Sequence, residues 1–221
     1  MAKTSRRLLL LTLIVALVLL IPSAIPLFKA IERDPPSTFN PGPGGISHYV
    51  WKQSLVKNVR VLFSFSDLWK FDPGSYALLI FGPDQELGDV AQLLGWAENG
   101  GIVVVFDEFD YGIKPFTQLG VDLARDFKTI AVADCSIGGT PLVLVLNVFT
   151  SINISSGWNV ICEFNGFPIA VSHSIGKGKL IVVGDSSIVI NNLANSRPWW
   201  YDVNSLFIDL VTENRHLLIY E

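Results

Sequence analysis

From Leu8 to Phe28 the chain runs for 21 residues without a charged side chain. As a helix rising about 1.5 Å per residue, such a run covers about 30 Å, the thickness of a bilayer's hydrocarbon core. Lys3, Arg6 and Arg7 precede it, while Lys29, Glu32, Arg33 and Asp34 nearly cancel after it. The positive-inside rule then leaves the N-terminus in the cytoplasm and everything downstream outside. A cleaved secretory signal shares the charged start, but the apolar stretch is long and no A-x-A-like site clearly follows it. The expectation is a single-pass membrane protein. Residues 1–30 form its N-terminal transmembrane anchor, residues 8–28 meet the lipid bilayer, and the C-terminal domain is extracytoplasmic, open to membrane protein partners.

Residues 34–45, DPPSTFNPGPGG, carry four prolines and three glycines, which interrupt both helix and sheet ladders. Residues 31–45 therefore read as linker and ordered loop, leaving 46–221 for one domain, enough for a single well-buried core. With 16 Lys and Arg against 20 Asp and Glu, the chain has no cationic field to condense on phosphates, which excludes nucleic acid as a partner.

Val59–Phe65, Tyr76–Phe81, Ile102–Phe106 and Leu180–Val183 are short apolar runs bounded by turn residues, the pattern of parallel strands buried on both faces. Leu87, Val90, Ala91, Leu94 and Ala97 fall on one helical stripe, with Asp84 as its cap and Gly100 as its end. Val203, Leu206, Phe207, Leu210 and Val211 repeat the spacing after Asp202, and a short strand follows at Leu217–Tyr220. A further helix spans about Ser47 to Val56. Residues 129–174 contain β-rich stretches and no evident helix, and read as a β-rich insertion or sheet extension. Alternating strands and helices imply an α/β three-layer sandwich with a mostly parallel sheet, whose ligands collect at the carboxyl ends of the strands.

Two strand ends carry candidate chemistry. Ile102–Phe106 runs into Asp107-Glu108-Phe109-Asp110, and Leu180–Val183 into Gly184-Asp185-Ser186-Ser187. If the two strands are neighbours, Asp107 and Asp185 approach and could raise one pKa or share a hard cation; strand-end carboxylates more often brace the following turn. Gly184-Asp185-Ser186-Ser187-Ile188 is no nucleophile elbow, because Ile188 fills the last glycine position. His48, His173 and His216 lack a neighbouring acid at telling spacing. Asn40-Pro41-Gly42-Pro43-Gly44-Gly45 has neither Walker nor dinucleotide spacing, so no cofactor is expected. Cys135 and Cys162, the only cysteines, form either a disulfide or two separate buried thiols. Asn153-Ile154-Ser155 fits the N-glycosylation pattern.

The ordered set Ser37–Ser47, Gly100–Phe109, Gly176–Ser187, Asn191 and Asn204 resembles a family of membrane-anchored domains of unknown function with a class I glutamine-amidotransferase-like fold. The resemblance implies a flavodoxin-like sheet over about residues 37–221. It also implies association with a MoxR-type ATPase system in an envelope complex, but not amidotransferase chemistry, because the Cys-His-Glu triad is missing from the elbow position. The expectation is a non-catalytic binding or scaffolding domain, with Asn40, Ser47, Asp107, Glu108, Asp185, Ser187 and Asn191 lining its crevice. The alternative is a hydrolase using the strand-end carboxylates, with or without a divalent cation.

Overall fold

The computed structural model describes residues 35–221. In chain order the elements are α1 (Ser47–Ser54), β1 (Val59–Leu62), a 3₁₀ segment (Phe65–Lys70), β2 (Tyr76–Phe81), α2 (Val90–Glu98) and β3 (Ile102–Phe106). A second 3₁₀ segment (Lys114–Leu119) and β4 (Val121–Leu123) lead into β5 (Lys128–Ile137), β6 (Thr140–Phe149), β7 (Ile152–Ile154), β8 (Trp158–Phe164), β9 (Phe167–Ile175) and β10 (Gly178–Val183). The chain finishes with α3 (Asn191–Ser196), α4 (Pro198–Val211) and β11 (His216–Tyr220).

Nine strands form one sheet in the order β1-β11-β2-β3-β10-β9-β8-β5-β6, and β4 pairs with β7 in a small second sheet. Pairing is parallel from β1 to β10 and antiparallel from β10 to β6. This corrects the expected mostly parallel, flavodoxin-like and amidotransferase-like sandwich: the sheet is mixed and half antiparallel. The cause is turn chemistry. Gly138-Gly139 joins β5 to β6 and Asn165-Gly166 joins β8 to β9, all four residues at positive φ, the backbone of tight two-residue hairpin turns that allow only antiparallel neighbours.

In the parallel half, alternate residues of each strand serve opposite cores. Leu79, Val104, Ile181 and Ile219 pack with Tyr49 of α1 and Phe207, Ile208 and Val211 of α4 on one face. Leu78, Val103, Leu180 and Leu218 pack with Leu93 and Trp96 of α2 and Leu68 on the other. The helices are where the apolar spacing puts them, but two stripes are out of phase. α2 begins at Val90, so Leu87 packs from the preceding loop and the innermost residues are Leu93 and Trp96. α4 begins at Pro198 rather than near Asp202, burying Asn204 and leaving Leu206 exposed.

β8 and β5 share only the ladder pairs Asp134↔Glu163 and Cys135↔Cys162. The second pair is a disulfide, so a covalent bond reinforces the narrowest junction in the sheet.

The single-pass membrane placement is also corrected. Among the described residues no helix is long and apolar enough to cross a membrane; the 14 residues of α4 would reach only about 21 Å. The run Leu8–Phe28 that carried this expectation, and with it the anchor over 1–30, lies outside the described residues.

Candidate functional site at the carboxyl ends of the parallel strands

β3 and β10 are parallel neighbours with Phe106 opposite Val183, so the two expected strand-end motifs emerge side by side. Asp107 is fully buried. Its Oδ1 accepts from the amide of Phe109 (2.8 Å) and its Oδ2 from that of Gly112 (2.6 Å), which folds residues 107–112 into a tight loop. A Cβ at Gly112 would stand 2.8 Å from Val105 Cγ1, so this close return of the chain requires glycine.

The carboxylate that feels the charge of Asp185 most is Glu108. Glu108 is buried and accepts from Ser186, at Oε2 from the amide (2.7 Å) and at Oε1 from the hydroxyl (3.0 Å). Burial, with the charge of Asp185 beside it, pushes the Glu108 carboxyl up to about 7. Asp185, wholly buried, accepts the Asn147 amide at Oδ2 (2.7 Å) and the Ser187 amide and hydroxyl at Oδ1 (2.7 and 2.6 Å). Burial raises it to about 6 against the pull of those hydrogen bonds. Asp107 is raised too, by burial. These groups tie β3, β10 and β6 together at one end of the sheet.

Asn40, Ser47 and Asn191 form a second knot. Asn191 Nδ2 donates to the carbonyls of Asn40 (3.0 Å) and Gly42 (2.8 Å) and to Ser47 Oγ (3.1 Å), while its Oδ1 accepts the His48 amide (2.9 Å). The proline-glycine segment is thus held onto the start of α3 as an ordered loop. Asn204 does the same for β6: its Oδ1 accepts from the Val145 amide (2.9 Å) and its Nδ2 donates to the carbonyls of Val145 and Ile188 (2.8 Å each).

Beside Glu108 lies an open cleft of about 610 Å³ walled by residues 84–86, 108–111, Lys114, Arg125 and Phe127. Three rings stand out of it, Phe109 at 59% exposed, Tyr111 at 48% and Phe127 at 51%, with the Phe109 and Phe127 centroids 5.8 Å apart. Arg125 pairs with Asp110 Oδ2 (2.6 Å) and Lys114 with Glu86 (2.9 Å). A neighbouring cavity of about 440 Å³, between Pro35–Ser37 and the ends of β2 and β11, shares Asp84, Gln85 and Glu86 as its wall.

Among the described residues no group of three or more His, Cys, Asp or Glu is placed to hold a metal ion. The histidines have local partners: His173 Nδ1 lies 2.9 Å from the Gly157 carbonyl, His216 accepts the Asn58 amide (3.3 Å), and His48 packs edge-on to Tyr201. The residues that sequence reasoning missed are Asn147, Lys114, Arg125 and Phe127. Lys114 follows β3 in sequence after Glu108, whereas no local pattern marks the other three, which reach the site through the order of strands in space.

No family model and no curated protein sequence matches the chain. Among solved structures it is similar to the mmIFT52 N-terminal domain, with a TM-score of 0.51 and 16% identity over 70% of this chain and 83% of that one. A cytoplasmic protein from Salmonella typhimurium LT2 gives a TM-score of 0.49 at 12% identity over 72% of this chain and 78% of that one. An exo-β-1,4-mannosidase from Opitutaceae bacterium strain TAV5 gives 0.44 at 17% identity over 61% of this chain, which spans only 25% of that enzyme's length. The likeness to the mmIFT52 domain is one of fold alone.

Proposed function

We propose that residues 35–221 form a non-catalytic binding module whose recognition surface is the aromatic cleft beside β3. The observation that carries this reading is how the strand-end carboxylates are used. Both oxygens of Asp107, Glu108 and Asp185 accept hydrogen bonds from backbone amides or serine hydroxyls of the surrounding segments. Carboxylates bound in this way fix loops, their oxygens being taken up by the chain's own donors. The loop that Asp107 fixes presents Phe109 and Tyr111, and Phe127 joins them from the segment before β5; the three exposed rings supply large contact area for little conformational entropy.

A photo-crosslinking amino acid placed at Tyr111 of the full chain, in its native host, is expected to give a discrete adduct, while the same group at Trp199 on α4 gives none. Adducts from Trp199 alone would displace the cleft as the recognition surface. Turnover of nitrophenyl ester, phosphate or glycoside substrates that is lost in Glu108→Gln would replace the binding reading with the hydrolase one.

A further inference from the structure

The cleft has a charge character that selects among ligands. Its wall carries Asp84, Glu86, Glu108 and Asp110 against Lys114 and Arg125, and both cations are already committed to acids of the same wall. Asp110 is the unusual member. It is only 9% exposed and sits at φ +83°, a backbone region a non-glycine residue rarely adopts. Arg125 takes its Oδ2, but Oδ1 is buried with no hydrogen-bond partner. A buried carboxylate oxygen left empty is costly unless something completes it.

Resting on the reading of the cleft as a recognition surface, we infer that its ligand is cationic: a lysine or arginine side chain on an extended, basic peptide segment. Three features converge on that chemistry. The exposed faces of Phe109, Tyr111 and Phe127 attract a cation through their ring quadrupoles. Even with buried Glu108 set aside, Asp84, Glu86 and Asp110 outnumber Lys114 and Arg125, and the excess steers positive charge toward the site. Asp110 Oδ1, without a hydrogen-bond partner and closed off from solvent, accepts an N–H donor only once the wall around it shifts, and it offers nothing to an anion. An anionic ligand would meet Lys114 and Arg125 only beside the acids they already pair with. The adjoining cavity, which shares residues 84–86 and adds the acid Glu221, offers room for the peptide to continue.

The test is calorimetric titration of the full chain with hexa-arginine and, separately, with hexaglutamate, at low and high salt. Hexa-arginine is expected to bind, to weaken as salt rises, and to lose at least tenfold in affinity in Phe127→Ala, whose half-exposed ring can be removed without opening the core. Asp110→Asn should lose a similar factor. Hexa-arginine binding that neither substitution changes would be surface attraction and would overturn the inference. Hexaglutamate binding that Phe127→Ala weakens would overturn the cationic assignment while leaving the cleft as the recognition surface. If neither peptide binds, the inference falls, and the crosslink from Tyr111 still decides the reading beneath it.

Discussion

The two halves of the nine-stranded sheet solve burial differently. In the parallel half β3 is buried at every position, because cores lie on both faces. In the antiparallel half β5 alternates: Ala133 and Cys135 face a core while Ile130 and Val132 stand half in solvent. Two-sided burial ties a strand down by contacts alone. One-sided burial leaves β5 with less apolar contact, and specific bonds are added around it: a disulfide between β5 and β8, and the Asn204 and Asp185 side chains on β6. The lesson is that where this sheet loses one of its two cores, at β5, specific bonds supplement packing.

That contrast can be broken in order of effect. Leu79→Ala, in the middle of β2, should destabilise by about 3 to 4 kcal/mol, read from chemical denaturation; a value below that of an exposed strand site would remove the distinction. Replacing both cysteines by alanine opens a link across 27 residues of chain and should cost about 3 kcal/mol. Hydrogen exchange should then rise first in β5 and β6, and a uniform rise would show that the junction is not the weak point. Asn204→Ala leaves the amide and carbonyl of Val145 unanswered and should cost about 2 kcal/mol, with faster exchange at Val145. At the small end, Val132→Ala on the open face of β5, where the side chain is 49% exposed, should stay within about 0.5 kcal/mol.

The strand-end carboxylates sharpen the comparison through pH. Glu108 is raised to about 7 and Asp185 to about 6, so between roughly pH 4 and pH 7 the folded chain holds protons that the unfolded chain has released. Stability must therefore fall as pH rises through that window and level off above it. Glu108→Gln should flatten the decline in melting temperature between pH 5 and pH 8. An unchanged slope would mean that neither burial nor Asp185 governs this carboxylate.

How much of this is legible in the sequence follows the same division. Tyr76–Phe81 and Ile102–Phe106 announce themselves because two-sided burial leaves unbroken apolar runs. Asp107, Glu108 and Asp185 can be singled out because they follow such runs. Which acid faces Asp185 cannot be read so, since it depends on the register that sets Phe106 against Val183 and brings Glu108 to Ser186. The last helix is misphased because Asn204 is buried for its amide and Leu206 is left outside, the reverse of what hydropathy favours. The antiparallel topology had a local signal in Asn165-Gly166 and Gly138-Gly139, whereas the order β9-β8-β5-β6 had none. Arg125 and Phe127 enter the cleft from the segment just before β5, so without that order they have no address.

The Asn204 carboxamide has one more consequence. Offering one acceptor and one donor to Val145, it imitates the peptide group of a tenth strand. An extra chain arriving at β6 would find Val145 answered on both sides, the Asn147 amide taken by Asp185, and Pro141 with no hydrogen to give. The outermost strand is thus a poor template for further β-growth, and the edge most at risk of seeding fibrils is closed by a side chain from a helix.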